Sequence, residues 1–315
     1  MTGRDVVIAL WVVLLWSSNL IVQKIAVGHL SVFVLSFLRV GLVFPLLFFY
    51  PKPQKSLWKY FLCGFFLIAL YLILLGFGLK SNIGAGLSAF FIQAQVFFII
   101  LCCFLLLGEK PTWFQVVGLV ISFVGVYLLK TTSSPSELPL WGIVFLLMSC
   151  FSFGIGIALS KKYKIGGSMA DITWLSMAAA VPLLLTCIIF EGPLQSFDII
   201  AHMSSVAIFC ILFATLLSTI WATYLWLSLL QRSPASSVAP FMLLLPIFSY
   251  IISYFVMGEN LTIQQMIAGF VIILGVMFAQ RIHQQIPLLL QWMKYKILQT
   301  IMIRKKTTFI EEDVL

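Results

Sequence analysis

Long apolar runs separated by short polar connections dominate this sequence. Ten runs occur, and each is close to the ~20 apolar residues that an α-helix needs to cross a bilayer. They cover residues 6–26, 31–50, 58–79, 83–107, 113–130, 140–160, 171–190, 204–229, 235–257 and 262–281. Because 62% of the residues are hydrophobic and only 9% are charged, an ordinary soluble domain is excluded. The runs predict an all-α polytopic membrane protein with ten transmembrane helices.

Lysine and arginine residues set the expected orientation of these helices. If the N-terminus is cytoplasmic, most of the 19 Lys and Arg residues fall in the cytoplasmic connections and the C-terminal segment. This is the distribution that the positive-inside rule describes. The net charge of +9 is then a consequence of membrane topology, and it gives no reason to expect nucleic acid as a partner. We expect both termini to be cytoplasmic and membrane lipid to surround the helices.

The second half of the sequence repeats the first. Leu107–Gly125 aligns with Met257–Gly275 at an offset of 150, which pairs Glu109 with Glu259, and nearer the start of each half the offset is 137. Each half holds five runs, and because five is an odd number the second copy enters the membrane from the opposite side. The sequence therefore predicts two inverted five-helix repeats. They occupy residues 1–130 and 140–283, with a connecting loop at 131–139 and a cytoplasmic tail at 284–315 that could form an interfacial helix.

The acidic and histidine residues argue against catalysis within the membrane. All of them fall at predicted helix ends, in connections or in the tail. The apolar runs therefore lack the paired aspartates or the His and Glu metal set that an intramembrane protease needs. The six cysteines lie in apolar runs without metal-ligand spacing, and the phosphate-binding GxxxxGK[ST] motif is absent. The sequence predicts a protein that is not an enzyme and has no metal and no cofactor.

Polar residues within the apolar runs are the candidates for binding a ligand. Arg39 is the one charge well inside a run, so it either meets an anionic group in a central cavity or bonds helix carbonyls and snorkels to the interface. Neutral polar groups should also turn inward, because in hydrocarbon they need a partner. The other candidates are Trp16, Asn19, Tyr71, Gln93, Gln95, Trp221 and Tyr224. Their amides and rings suit a small polar metabolite, although helix packing would explain any one of them.

Two further pairs of residues have predicted structural roles. Pro240 and Pro246 lie in the ninth run, where each frees a backbone carbonyl and predicts a kink or hinge. Glu109 and Glu259 each follow a glycine directly after an apolar run. We expect each carboxylate to bond the backbone N–H groups at the start of the next helix.

Several stretches resemble the EamA-type transporters of the drug/metabolite transporter superfamily. The two GE corners, each followed by Gln and Gly, match the general pattern of that superfamily. Closer stretches resemble its branch of bacterial O-acetylserine and cysteine exporters. These stretches are W-x-x-N-x-x-x-x-K from Trp16, the second-run Arg39, AGL…QAQ-x-FF from Ala85, and VAPFMLLLP from Val238. The similarity covers about residues 4–281, and Phe153 stands where members usually have Trp.

The resemblance implies an inner-membrane carrier with a central cavity. Such a protein would export small amino-acid-like metabolites, of the cysteine or O-acetylserine type, by alternating access, and Arg39 would meet the substrate carboxylate. Two alternatives stay open at this point. One is a lipid or drug exporter on the same scaffold, and the other is a membrane scaffold without transport that binds a partner through its tail. The sequence leaves the oligomeric state open.

Overall fold

The computed structural model describes residues 1–27, 30–50, 53, 55–81, 91–130, 140–257 and 263–279, and within these ranges all regular secondary structure is helical. Ten apolar helices account for most of it. They are α1 Gly3–Val27, α2 Val32–Phe48, α3 Leu57–Lys80, α4 Gln95–Leu107, α5 Trp113–Lys130, α6 Leu140–Lys162, α7 Met169–Glu191, α8 Ser205–Arg232, α9 Ala235–Val256 and α10 Ile263–Ala279. Glu259, the loop at 131–139 and the tail at 284–315 lie outside the described residues.

The length and composition of these helices are those of a protein embedded in a membrane. Six of them, namely α1, α3, α6, α7, α8 and α9, are long and apolar enough to span a bilayer, and the other four are shorter apolar helices. Each of the ten predicted runs overlaps one helix, so the prediction of an all-α polytopic membrane protein is confirmed. The structure adds a short helix at Pro193–Ala201, in the connection between α7 and α8. Proline in its first turn is favourable there, because that position needs no N–H donor.

The packing of α5 against α10 brings matched positions of the two halves together. Gly118 faces Gly275, whereas Gly125 faces Ile272, so the two helices run in opposite directions. The Ser122 hydroxyl donates a hydrogen bond to the Ile272 carbonyl (3.3 Å), and these two residues are themselves related by the offset of 150. Small residues allow this close approach, which stabilises helix pairs in lipid. Equivalent helices therefore cross antiparallel.

Other helix contacts also join one half of the sequence to the other. Helix α1 packs against α8 and α9, and its counterpart α6 packs against α3 and α4. Helix α2 runs antiparallel to α7, because Ser31 before α2 donates to Glu191 at the end of α7. At the other end of the pair, the Trp174 indole donates to the Tyr50 carbonyl (3.1 Å). The two halves are thus interleaved, and residues far apart in the sequence meet in the centre.

Regular α-helical geometry is interrupted at matched positions of the two halves. Helix α3 contains π-helical turns at Phe65–Leu70, and its counterpart α8 contains them at Ala214–Ala222. Helix α9 contains a 3-10 segment at Ala239–Leu244, and a turn at residues 93–94 directly precedes α4. Such interruptions in membrane helices are tolerated where protein or a cavity satisfies the freed backbone groups, and π turns are frequent at functional sites.

The two prolines of α9 lie at its interruption. Pro240 lies within the 3-10 segment and Pro246 follows it at the start of the next α-helical stretch. A proline ring removes one helical hydrogen bond and displaces the preceding carbonyl. The 3-10 segment and these prolines lie together in the chain, and a kink or hinge at this point stays a prediction.

Candidate functional site

Arg39 of α2 contacts the π-helical turns of α8. Its Nε donates to the Thr219 hydroxyl (3.0 Å), and its Nη2 lies 3.5 Å from the Ser218 hydroxyl. The side chain is partly exposed, and no carboxylate in the described ranges forms an ion pair with it. A guanidinium has five N–H donors, so hydroxyl groups use only part of its capacity. Arg39 therefore offers a positive charge and further donors between α2 and α8.

A pair of tryptophans lies beside this arginine. The Trp16 indole of α1 approaches the Ser218 carbonyl (3.4 Å), and its ring packs against Trp226 of α8 at 5.3 Å between centroids. Asn19 lies one helical turn after Trp16 on the same face of α1. Asn19 Oδ1 and Trp226 Nε1 are both buried and have no hydrogen-bond partner among the residues that the structure describes. The site thus combines aromatic walls with one acceptor and one donor that neighbouring groups leave unused.

Tyr71 forms the wall on the side of α3. It follows the π turns of that helix directly. Its ring packs against Phe153 of α6 at 5.0 Å between centroids. Phe153 is the counterpart of Trp16 at the offset of 137. Trp16 and Arg39 therefore contact the π segment of α8, and Tyr71 directly follows the related π segment of α3.

The other predicted residues form two separate groups. The Gln93 amide is buried and donates to the Met242 carbonyl (3.4 Å) in the 3-10 segment of α9. Gln95 is also buried and begins α4. Trp221 and Tyr224 pack against each other at 6.4 Å, and Trp221 is 44% exposed. The Gln93 amide thus connects the turn before α4 to the 3-10 segment of α9.

Three residues of the site escaped selection from the sequence. Ser218 and Thr219 belong to the same polar run as Trp221, whose polar residues were expected to turn inward, and both lie in the π segment that contacts Arg39. Their pairing with Arg39 depends on the geometry of that segment. Trp226 was not chosen as a ligand-binding candidate, because a tryptophan near the end of a membrane helix is typical of an interfacial anchor.

The Glu109 carboxylate bonds a helix start, although not the one expected from the sequence. Its Oε2 accepts a hydrogen bond from the Ala235 N–H (2.8 Å) at the start of α9, and its Oε1 pairs with the Lys161 ammonium. The next helix, α5, has its own cap, because Gln115 Oε1 accepts from the Thr112 N–H (2.7 Å). Tertiary packing thus directs Glu109 to a distant helix.

Comparison with known families agrees with this architecture. The pattern of the EamA-like transporter family matches residues 4–131 and again residues 140–280. This chain belongs to the EamA-like transporter family. It is therefore a membrane transporter, and each half of this EamA-like chain carries one copy of the family unit.

Relatives of this EamA-like transporter span most of its length. A probable amino-acid metabolite efflux pump of Salmonella typhimurium (strain LT2) is 27% identical over 295 residues, which cover 87% of this chain and 94% of that protein. A protein of the same name in Escherichia coli (strain K12) is 25% identical over 281 residues, with 87% and 94% covered. A solved crystal structure that shares 16% sequence identity gives a TM-score of 0.75 and covers 89% of this chain and 99% of that one. That last similarity concerns the fold alone.

Proposed function

We propose that this EamA-like transporter exports small amino-acid-like metabolites across the inner membrane by alternating access. In this proposal it has ten crossings as two inverted five-helix repeats, with both termini in the cytoplasm. The observation that carries the proposal is the environment of Arg39. This cation lies between apolar helices, bonds only hydroxyl groups in the described residues, and keeps donors free.

A zwitterionic amino acid fits the groups around Arg39. A carboxylate is the natural partner of a guanidinium, because the planar fork of donors matches its two oxygens. Asn19 Oδ1, which has no partner in the described part of the chain, is an acceptor suited to the substrate ammonium group. Trp16, Tyr71 and Phe153 offer aromatic surface to a short neutral side chain. Cysteine and O-acetylserine have these features, and the efflux-pump names of the relatives support the same class.

The arrangement of the helices supports alternating access. Antiparallel contacts of α5 with α10 and of α2 with α7 relate the halves by a pseudo-two-fold axis. In transporters with inverted repeats, the substrate site lies where discontinuous helices of the two repeats meet. Here the interrupted helices α3, α8 and α9 bring their irregular segments to the centre. Rocking of the halves about this centre would expose the site to each side in turn.

Counterflow in proteoliposomes tests the proposed substrate class. Vesicles containing the purified full chain are loaded with unlabelled cysteine, O-acetylserine or another neutral amino acid, and uptake of the labelled compound is followed. We expect counterflow that Asn19→Ala and Arg39→Met each reduce at least tenfold, because each removes a bond to the zwitterion. Absence of counterflow for every amino acid by correctly folded protein would contradict the proposal. Transport of a lipid or dye that both variants leave unchanged would favour the lipid or drug exporter instead.

A further inference from the structure

Polar contacts join several helix ends at one face of the bundle, which we call the N-terminal face. It is the face where Arg232 lies 3.7 Å from Asp5 near the N-terminus. At the same face, the Lys55 ammonium donates to the Lys164 carbonyl (2.7 Å). These contacts connect α1 to α8, and α3 to the turn between α6 and α7. The N-terminal face is thus held together by side chains at helix ends.

Glu109 and Lys161 form the centre of this network. One oxygen of Glu109 pairs with the Lys161 ammonium, and the other accepts the Ala235 N–H (2.8 Å). The Lys161 ammonium also donates to the Ser233 carbonyl (2.8 Å). Three separate helix ends therefore meet here, namely the end of α4, the end of α6 and the turn between α8 and α9. We call this group the Glu109–Lys161 lock.

The Glu109–Lys161 lock is stronger than an ordinary surface ion pair. The side chains are only 22% and 10% exposed, so water screens their attraction less than at an open surface. A carboxylate at the start of α9 is also favoured by the partial positive charge of a helix N-terminus. Removing the charge of either partner leaves the other partly buried without compensation, which is costly. The lock can therefore shift a balance between two conformations.

Contacts around the lock join the first half of the sequence to the second half at the N-terminal face. Glu109 follows α4, and its N–H bonds the Cys103 carbonyl (3.4 Å). Cys103 and Cys63 lie on the inner side of this face and are 1% and 0% exposed. Gln115 of α5 adds a bond to the Ser237 hydroxyl (2.9 Å) of α9. Helices α4 and α5 of the first half are thereby fastened to α9 of the second half.

We infer that the Glu109–Lys161 lock holds the N-terminal face closed in this conformation and must open during each transport cycle. This inference rests on the proposed alternating access. Opening at this face has to separate α4, which packs with α6, from α9, which packs with α1 and α8. The lock joins these elements through bonds that break without unfolding a helix. Opening exposes Cys103 to water, so the native thiol reports the state of the face.

Thiol labelling tests the lock without knowledge of the substrate. The full chain in lipid nanodiscs is treated with a membrane-impermeant maleimide, and modification of Cys103 is followed over time by tandem mass spectrometry. We expect Lys161→Met and Glu109→Gln to raise the labelling rate about tenfold. Lys162→Met is the matched control, because Lys162 is the neighbouring, exposed lysine, and it should label like the wild type. Equal labelling rates in all four proteins would overturn the inference. Should Lys161→Met fail to fold, Glu109→Gln decides, because its amide oxygen can still accept the Ala235 N–H.

A reversible cross-link separates a lock that opens from a permanent fastener. Cysteines are introduced as Glu109→Cys and Ala235→Cys and joined with a short, cleavable thiol reagent. We expect counterflow to stop on cross-linking and to return on cleavage, whereas the same reagent should leave the counterflow of each single variant at the level that this variant shows without reagent. Counterflow that survives the cross-link would show that the face need not open. If the wild type shows no counterflow, the proposed function fails, and the labelling rates still report on the lock.

Discussion

Arg39 places a positive charge within a membrane helix. The described residues that it contacts offer hydroxyl groups and no carboxylate. On insertion scales an arginine at the centre of a membrane helix costs about 2.5–3.5 kcal/mol. One hydrogen bond of 3.0 Å and one of 3.5 Å offset part of this cost, at about 1.5–3 kcal/mol for a bond to a charged group. The counterpart of Arg39 at the offset of 137 is Ser176, so the matched position in α7 is occupied without a cation. Packing alone does not require an arginine at this position.

Substitution of Arg39 separates recognition from structure. Arg39→Lys keeps the charge but loses the planar fork, so we expect the KM for the transported amino acid to rise about tenfold. Arg39→Met should abolish transport while leaving the melting temperature unchanged or raised, because a partly buried charge is removed. Counterflow kinetics and a thermal unfolding assay measure both effects. Arg4→Met is the control, because Arg4 is exposed at the start of α1. Transport by Arg39→Met at the wild-type rate would assign Arg39 a purely structural role.

At the scale of helices, the sequence predicted which segments are helical but not where their geometry changes. A run that is apolar on all sides has no polar face to reveal a shift of register. In α8 the Thr219 hydroxyl bonds the Ala214 carbonyl (2.9 Å), and the Thr223 hydroxyl bonds the Ser218 carbonyl (3.3 Å). Both bonds reach back five residues, as π turns allow. This local register turns Ser218 and Thr219 towards Arg39, and it could not be read from spacing.

The glycine contacts between α5 and α10 give a prediction at the same scale. A Cβ at Gly118 would lie 2.5 Å from the Gly275 carbonyl oxygen, whereas a Cβ at Gly269 would meet its nearest neighbour, Ile247, at 3.7 Å. Gly118→Ala should therefore force the two backbones apart and destabilise the protein by about 1–3 kcal/mol. Gly269→Ala, on the same helix pair, should be neutral or slightly stabilising. Thermal unfolding in detergent compares the stability of the two variants with that of the wild type. Equal stability of the two variants would contradict the close antiparallel contact.

At the scale of the whole molecule, the repeat was visible in the sequence because its GE corners and glycines recur at fixed offsets. The contacts between halves were not visible, since they depend on how ten helices interleave. Glu109 illustrates the difference, because its corner was predicted and its partner, Ala235, was not. The central site shows the same difference between what the sequence reveals and what packing decides. Arg39 and Trp16 stood out as polar or aromatic residues, but only packing brings both of them to Ser218.

Labelling from each side of the membrane tests the predicted orientation. Lys164 is exposed at the N-terminal face, and the Lys80 side chain, 44% exposed, lies at the opposite face beside Glu191. Single cysteines introduced as Lys164→Cys and Lys80→Cys should react with an impermeant maleimide from opposite sides. In intact cells we expect Lys80→Cys to label at once and Lys164→Cys only after permeabilisation, because the positive charges favour a cytoplasmic N-terminal face. The reverse pattern would mean that the N-terminal face lies outside the cytoplasm. Labelling of both cysteines from one side would contradict the placement of Lys164 and Lys80 at opposite faces.

The inverted repeat finally predicts effects of opposite sign at the two GE corners. At the offsets of 150 and 137, Glu109 corresponds to Glu259 and Lys161 to Lys24. The side chains of Glu259 and Lys24 lie outside the described residues, so this prediction comes from the sequence repeat and the Glu109–Lys161 lock. If matched charges favour closure of opposite faces, losing one pair shifts the conformational balance one way and losing the other shifts it back. Glu109→Gln should then speed maleimide labelling of Cys103, and Glu259→Gln should slow it. The double variant should return towards the wild-type rate. Faster labelling in both single variants would mean general loosening of the protein and would contradict a balance between two faces.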